Sequence, residues 1–420
     1  MLDLKFIRAN TELVRQAIIN KNEKADLGAI LELDDKRRKL QFDFDTLKAT
    51  QNQVSQQIAL KKKNKEDAGE LIEQMGSVSE QLKAMSTELA EVEKELEAAL
   101  LWLPNVPHPE VPIGRDESFN RFVREWGSKP DYDFTPKEHP EVAAQNNLLD
   151  MQRGAKITGS GFPVYTGLGA NLERALINFM LTFHQQKHGY EEVAVPFIVN
   201  RKTMTGTGQL PKLENDMYRI DEEDFFLIPT AEVPVTNLYS DEILPLGKLP
   251  VKLVGYTPCF RREAGSYGKD TKGLQRVHQF NKVEMVRFVH PDESYAVLEE
   301  MVGNAEAILQ ALGLHYRVVE LCTADLSFAS ARTYDIEVWA PGAGRYLEVS
   351  SVSNFEDFQA RRAGIRFRDT DGKVRFVHTL NGSGLATPRT MIALLETYQQ
   401  ADGSIAIPEA LKVFINIKLS

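Results

Sequence analysis

The sequence predicts an α+β chain in two parts, and three observations carry that prediction. From about residue 27 to residue 101, apolar residues recur at alternating steps of four and three, the heptad pattern of a coiled coil. Four prolines then fall within the nine residues from Pro104 to Pro112, a stretch that neither a helix nor a central strand can cross. Beyond it, hairpin turns and amphipathic helices mix without βαβ alternation. The predicted division is residues 1–103, a linker at 104–113 and a larger part at 114–420.

In the first part, Leu40, Phe44, Leu47, Val54 and Ile58 form one stripe, interrupted by the polar Gln51. Leu71, Met75, Val78, Leu82, Met85, Leu89, Val92 and Leu96 form a second. The segment from Lys61 to Gly69 has no apolar register and reads as a turn, so two helices of roughly 35 residues fold back on each other over ~50 Å. Residues 36–65 hold nine Lys or Arg against two acids, and residues 66–97 hold ten acids against two Lys. Pairing of complementary flanks accounts for the helix bodies. The lysines at the tip, Lys61, Lys62, Lys63 and Lys65, are harder to assign to pairing and suit the phosphates of a structured RNA.

Composition sets bounds on the rest. At 420 residues, 42% hydrophobic and 26% charged, the chain has the makeup of an ordinary globular protein with room for a large core. A net charge of −10 excludes attraction of nucleic acid over the whole surface, leaving only local basic patches. Cys259 and Cys322 supply neither a disulfide framework nor a four-thiolate zinc site. No secretory signal and no membrane-length apolar run is evident, so the expected location is the cytoplasm.

The larger part opens with helical spacing over 171–187, where Leu172, Leu176, Phe179, Met180 and Phe183 share a face and Gly189 ends the run. His184 and His188 lie one turn apart on it, without an evident third ligand for a metal. A strand is predicted over 192–199, and Pro196 confines it to an edge or interface. Thr230-Ala231-Glu232 then places a hydroxyl and a carboxylate two residues apart among apolar neighbours. Beside a cleft this pair can take a substrate ammonium, and it equally satisfies a helix N-cap.

Between Tyr256 and Met285, two strand-like runs flank a loop rich in Gly, Lys and Arg. Alternation puts Arg261 and Glu263 on one face and Arg262 on the other, while Phe280, Lys282 and Glu284 share a face on the return run. If the runs pair and those faces coincide, the wall suits a nucleotide: Arg forks onto phosphate, Phe stacks a base, and a carboxylate accepts from an exocyclic amine. A solvated hairpin with a basic loop would have the same composition.

The turn Pro341-Gly342-Ala343-Gly344 predicts a further antiparallel hairpin, whose second strand carries Glu348, Val349, Ser350 and Ser351. Glu348 and Ser351 are oxygen donors of the type Mg²⁺ shares with phosphates, although acids on a strand often mark its wet face. Finally, Thr387 reads as an N-cap, Pro388 as the first helical residue and Arg389 as a first-turn cation. A cation there opposes the helix dipole unless an anion shares the site, and that conflict points to function. The chain has no P-loop and no complete dinucleotide fingerprint.

F-R-R-E-A-G followed by R-V-H-Q-F-N-K-V-E resembles motif 2 of the class II aminoacyl-tRNA synthetases, in the form used by seryl-tRNA synthetases. The helix and proline-bearing strand within 171–199 resemble motif 1, and T-x-E at 230–232 resembles the family's serine-binding loop. The segment from Gly382 to Arg389 resembles motif 3, one residue longer than G-x-x-x-x-x-R, with Gly384 at a closer spacing. With the arm and the proline junction, the likeness to the bacterial type spans essentially the whole chain. It implies an antiparallel sheet flanked by helices, a homodimer, activation of L-serine by ATP, and transfer of the seryl group to tRNA(Ser), with tRNA(Sec) as a further acceptor.

By the same resemblance, Thr230, Ala231, Glu232, Glu284 and Ser383 contact serine. Arg261, Arg262, Glu263, Val277, Phe280, Glu348, Val349, Ser350, Ser351 and Arg389 contact ATP, with Arg261 and Arg389 as the catalytic cations. Glu348 and Ser351 are implied ligands of Mg²⁺, and the basic arm tip is an implied tRNA contact. The zinc-dependent type needs ligand cysteines that are missing here, so no zinc is expected. Two other readings fit parts of the pattern. A synthetase-like ligase loading a carrier protein would lack the arm, and a non-catalytic coiled-coil protein would not keep the motifs.

Overall fold

Two helices, α1 (Leu27–Lys63) and α2 (Gly69–Leu100), form the N-terminal hairpin of the computed structural model, which describes residues 1–264 and 272–415. The hairpin belongs to a unit made of Leu2–Ile18 and Glu23–Pro104. The Asp26 side chain accepts from Ala29 N at 3.0 Å and starts α1 as an N-cap. Val54 is buried on α1, and Val78, Leu82, Val92 and Leu96 are buried on α2, with the other stripe residues half-buried. Gln51 meets a polar partner across the seam, donating to Ser79 Oγ at 3.3 Å. Lys36 and Glu88 pair between the helices at 3.0 Å, as complementary flanks require.

The turn is shorter than the sequence suggests. Lys61, Lys62 and Lys63 form the last turn of α1, because lysine is a good helix former and sits well at the negative end of the helix dipole. The reversal is confined to Asn64–Ala68, with Lys65 in the left-handed region at φ +59°. All four tip lysines are exposed.

The second unit is Asn105 onward, together with Met1 and Ile19–Asn22. The strands of its large sheet are β1 (Arg121–Trp126), β2 (Glu191–Glu192), β3 (Val251–Phe260), β4 (Gln279–Val289), β5 (Tyr316–Glu320), β6 (Arg332–Ala340), β7 (Arg345–Asn354) and β8 (His378–Ala386). They make one eight-stranded sheet in the order β1-β5-β6-β7-β8-β4-β3-β2, antiparallel throughout except for the β2–β3 pair. Helices α3 (Leu168–His188), α4 (Ser294–Ala311) and α5 (Thr387–Thr397) pack on this sheet. This α+β architecture is the predicted one.

Alternation divides β4 between two environments. Val283, Met285 and Val289 join the core under the helices with Leu176, Met180, Leu298 and Ile392. Phe280, Lys282 and Glu284 point the other way and line a cavity. One strand thus supplies both the core and the functional face.

Two local expectations change. The predicted strand at 192–199 breaks: β2 is only two residues long, and Ile198–Asn200 pairs instead with Phe225–Leu227 in a separate small sheet. Pro196 lies between them and has no N–H to extend the ladder. Thr387 is the first residue of α5, with Ala386 at the cap position. Its hydroxyl donates to Glu173 at 2.5 Å and lies 3.0 Å from Asn281 O, so it is committed elsewhere than to capping. Gly189 ends α3 in the left-handed conformation, φ +70°. No helix among the described residues is long and apolar enough to cross a membrane.

Candidate active site

The cavity on the free face of β4 has a volume of about 690 Å³. Strand pairing builds its floor: β4 brings Phe280, Lys282 and Glu284, β8 brings Asn381 and Ser383, and β7 brings Glu348, Val349 and Ser351. Thr230 and Glu232 close one end, and Arg261, Glu263, Val277 and Arg389 complete the wall. Both predicted catalytic arginines and both end carboxylates, Glu232 and Glu348, therefore open into one space. The predicted contacts Ala231, Arg262 and Ser350 are not among the lining residues. Strand β3 ends at Phe260, so alternation does not carry on through residues 261–263, and Arg262 is tied to the cavity rim by its backbone N–H, which donates to Asp216 O at 2.9 Å. Ser350 donates to Ser383 O at 2.6 Å and ties β7 to β8.

Glu348 and Ser351 are three residues apart, which in a regular strand means opposite faces. The pairing runs Asp335 with Ser351, Ile336 with Ser350, then Glu337 with Glu348, so Val349 is an extra residue on β7. This bulge turns Glu348 onto the face of Ser351.

The end formed by Thr230 and Glu232 is acidic and shielded. Glu284 accepts from Lys282 at 2.5 Å, from Asn381 at 3.0 Å and from Thr230 at 3.5 Å. Thr230 Oγ1 in turn accepts from Glu232 N at 3.2 Å, so the hydroxyl serves both neighbours. Glu232 accepts from Gln359 at 2.6 Å. Burial, with the charge of Glu284 added, pushes the Glu232 carboxyl up to about 7.

The other end is cationic and less enclosed. Arg261 lies over the Phe280 ring at 5.2 Å and donates Nε to Pro229 O at 3.3 Å. Arg389 donates to Glu348 O at 2.9 Å and to its carboxylate at 3.3 Å. Arg276 pairs with Glu263, which sits at φ +50°. Behind Glu348, the Asp335 carboxyl bonds Ser351 through one oxygen while Oδ1 is closed off without a partner among the described residues. Burial and the nearby Glu348 charge hold Asp335 well above the usual carboxylate range.

Comparison with known proteins shows the family of the chain. A family model for the tRNA synthetase class II core domain (G, H, P, S and T) matches residues 213–398, and one for the seryl-tRNA synthetase N-terminal domain matches residues 1–107. The chain is 54% identical to the serine–tRNA ligase of Geobacter sulfurreducens over 416 residues, covering 99% of this chain and 98% of that protein. It belongs to the seryl-tRNA synthetase family. The serine–tRNA ligase of Thermodesulfovibrio yellowstonii is 53% identical, with 99% of each chain covered. Among solved structures, the seryl-tRNA synthetase of Pyrococcus horikoshii complexed with ATP superposes with a TM-score of 0.94 at 38% identity, covering 100% of this chain and 99% of that one. The cytoplasmic serine–tRNA ligase of Naegleria fowleri in complex with AMP gives a TM-score of 0.88 at 28% identity, covering 99% of this chain and 97% of that one. The protein is an aminoacyl-tRNA ligase of class II.

Several residues of this synthetase's cavity escaped the sequence reading. Asn381, just before the segment that resembles motif 3, bonds Glu284, and Gln359, behind the cavity lining on a helix with no motif of its own, bonds Glu232. Asp335 was visible only as one acid on a strand. The histidine pair on α3 proves structural: His184 contacts Gly384 O at 2.8 Å and His188 at 3.0 Å. Burial pushes its imidazole down to about 4. Any side chain at Gly384 would strike that ring, which explains a glycine inside β8.

Proposed function

We propose that this synthetase joins L-serine to ATP as seryl-adenylate, with release of pyrophosphate, and then passes the seryl group to the 3′-terminal ribose of tRNA(Ser). The observation that carries this reading is the single cavity whose acidic end and cationic end share the floor of β4. Serine brings an ammonium, a carboxylate and a hydroxyl within a few ångströms, and ATP brings a polyanion. Lys282 already neutralises Glu284, so the charge left for a substrate ammonium is that of Glu232. Glu284 and Ser383 then face the serine hydroxyl, and alanine, which cannot pair with them, is penalised.

The remaining groups suit the nucleotide. Phe280 offers a face to adenine, and the Glu263 carboxylate an acceptor to its amine once it exchanges Arg276. Arg261 stands where serine carboxylate and α-phosphate would meet, and Arg389 can leave its exposed pair with Glu348 for the γ-phosphate at little cost. No protein nucleophile is needed: positioning and neutralisation of the developing charge lower the barrier. Glu348, Ser351 and the orphaned oxygen of Asp335 form a hard oxygen set that fits Mg²⁺. When bound, the ion supplies further charge neutralisation at the phosphates. Among the described residues no group of three or more His, Cys, Asp and Glu side chains could hold a metal alone.

The exposed tip lysines support tRNA binding by the arm, and tRNA(Sec) is proposed as a second acceptor. Phe197 and Ile198, 41% and 45% exposed beside Pro196, support a homodimer through this segment. The proposed setting is the cytoplasm. Serine-dependent exchange of pyrophosphate into ATP, followed by charging of tRNA(Ser) and tRNA(Sec) transcripts, tests the scheme. Deleting Asp34 to Leu96 is expected to spare exchange and abolish charging. Loss of both together contradicts the division of labour.

A further inference from the structure

Gln359 is 1% exposed and lies on the short helix Phe358–Ala363, a segment with no counterpart among the recognised motifs. Its amide makes three contacts. Nε2 donates to Glu232 Oε1 at 2.6 Å and to Thr207 O at 3.2 Å, while Oε1 accepts from Thr379 Oγ1 at 2.7 Å. Turning the amide over would set its oxygen against both a carboxylate and a carbonyl, so the neighbours fix one orientation. Thr379 shares a face of β8 with Asn381 and Ser383. The same strand that orients Glu284 through Asn381 therefore orients Glu232 through Gln359.

Glu232 differs from Glu284 in one respect. Its second oxygen, Oε2, has no donor among the described residues and is not sealed off, so it is open to the cavity. Charged groups facing this carboxylate are Glu284, Lys282 and Arg261. Lys282 is engaged by Glu284, and Arg261 is held toward Pro229. The open oxygen is left for a cation arriving with the substrate.

We propose that Gln359 is the positioning residue of serine recognition: its amide pins one oxygen of Glu232 so that the other meets the substrate ammonium. The inference rests on the reading that Glu232 takes that ammonium, and it extends the site to a residue that touches no substrate. Gln359 also favours the charged form of Glu232, because a donor to a carboxylate stabilises the anion. Serine should therefore bind better as pH rises through about 7, and loss of Gln359 should move that rise upward.

The test compares Gln359→Met, Thr379→Val and Glu232→Gln with the intact full-length enzyme by pyrophosphate exchange between pH 6 and 8.5. Because a hydrogen bond to a charged group is lost, Gln359→Met should raise the KM for serine roughly tenfold or more with ATP KM within about twofold. Its pH profile should be displaced upward. Thr379→Val frees the Gln359 amide without emptying the site, should give a smaller rise of the same kind, and carries the test alone if Gln359→Met does not fold. An unchanged serine KM in the folded variants, or an equal rise in both substrates, overturns the proposal. If Glu232→Gln itself leaves serine KM unchanged, the underlying assignment of Glu232 fails. If Glu232→Gln raises it and Gln359→Met does not, only the role of Gln359 fails.

Discussion

The two ends of the cavity follow opposite electrostatic plans. At the proposed serine end the carboxylates are buried, and their hydrogen bonds are largely made in advance: Glu284 by Lys282 and Asn381, Glu232 by Gln359. At the proposed phosphate end the arginines are half-exposed and engaged in pairs that can exchange, Arg389 with Glu348 and Arg276 with Glu263. The difference suits the two proposed ligands. A small zwitterion carries too few atoms to organise its own site, so selectivity needs groups already aimed and short of one partner. A triphosphate brings enough charge to displace weak ion pairs, so its cations can wait in them.

The largest effect expected from this contrast is at the phosphate end. Arg389→Ala should slow pyrophosphate exchange by roughly 10²- to 10³-fold, the usual result of removing a group that stabilises developing charge. The melting temperature should hardly move, since the Arg389–Glu348 pair is an exposed one. Exchange assays beside thermal melts separate the two, and a loss of stability matching the loss of rate would break the contrast.

The serine end should respond the other way, trading function for stability. Burial raises the folded-state value of Glu232 to about 7, against roughly 4.3 for an unfolded glutamate. A raised carboxyl leaves stability unaffected below the unfolded value and costs stability as pH climbs from there through the folded value. Glu232→Gln should therefore stabilise the ligand-free protein at pH 8 by up to about 4 kcal/mol and give almost no gain near pH 4. Denaturant titrations at the two pH values check the sign. Equal stabilisation at both would mean that the carboxylate charge is not what strains this end.

The same contrast explains what the sequence made legible. The helical hairpin is readable from its heptads because each buried position is fixed by period alone, and Val78, Leu82, Val92 and Leu96 are where the pattern puts them. The face shared by Phe280, Lys282 and Glu284 is readable from parity, because those residues lie within β4. Gln359 and Asn381 are not readable, because their roles arise from strand order and tertiary approach rather than from local spacing. The bulge at Val349 is hidden for a related reason: a register shift is a property of two strands, β6 and β7, and neither one shows it alone. At Thr387 and at Lys61 to Lys63, local rules for caps and turns were overruled by a buried acceptor and by helix propensity.

The smallest predicted effect probes the boundary between the two plans, at Asp335. This carboxyl belongs by burial to the saturated kind, yet Oδ1 lacks a partner among the described residues and its neighbour Glu348 belongs to the exchangeable kind. An unsatisfied buried oxygen costs free energy unless a ligand completes it, and a divalent cation between Glu348 and Ser351 is the ligand whose charge would do so. Asp335→Asn keeps the shape and a polar contact to Ser351 but removes the negative oxygen. With Mn²⁺ as a probe at fixed ATP, its apparent affinity, read from the free-ion electron paramagnetic resonance signal, should fall roughly tenfold. The metal-free melting temperature should hardly change, since the shape and the contact to Ser351 are kept. An unchanged Mn²⁺ affinity would place Asp335 wholly in the structural group, whereas a drop in affinity together with a lower melting temperature would show that Ser351 had lost its support instead.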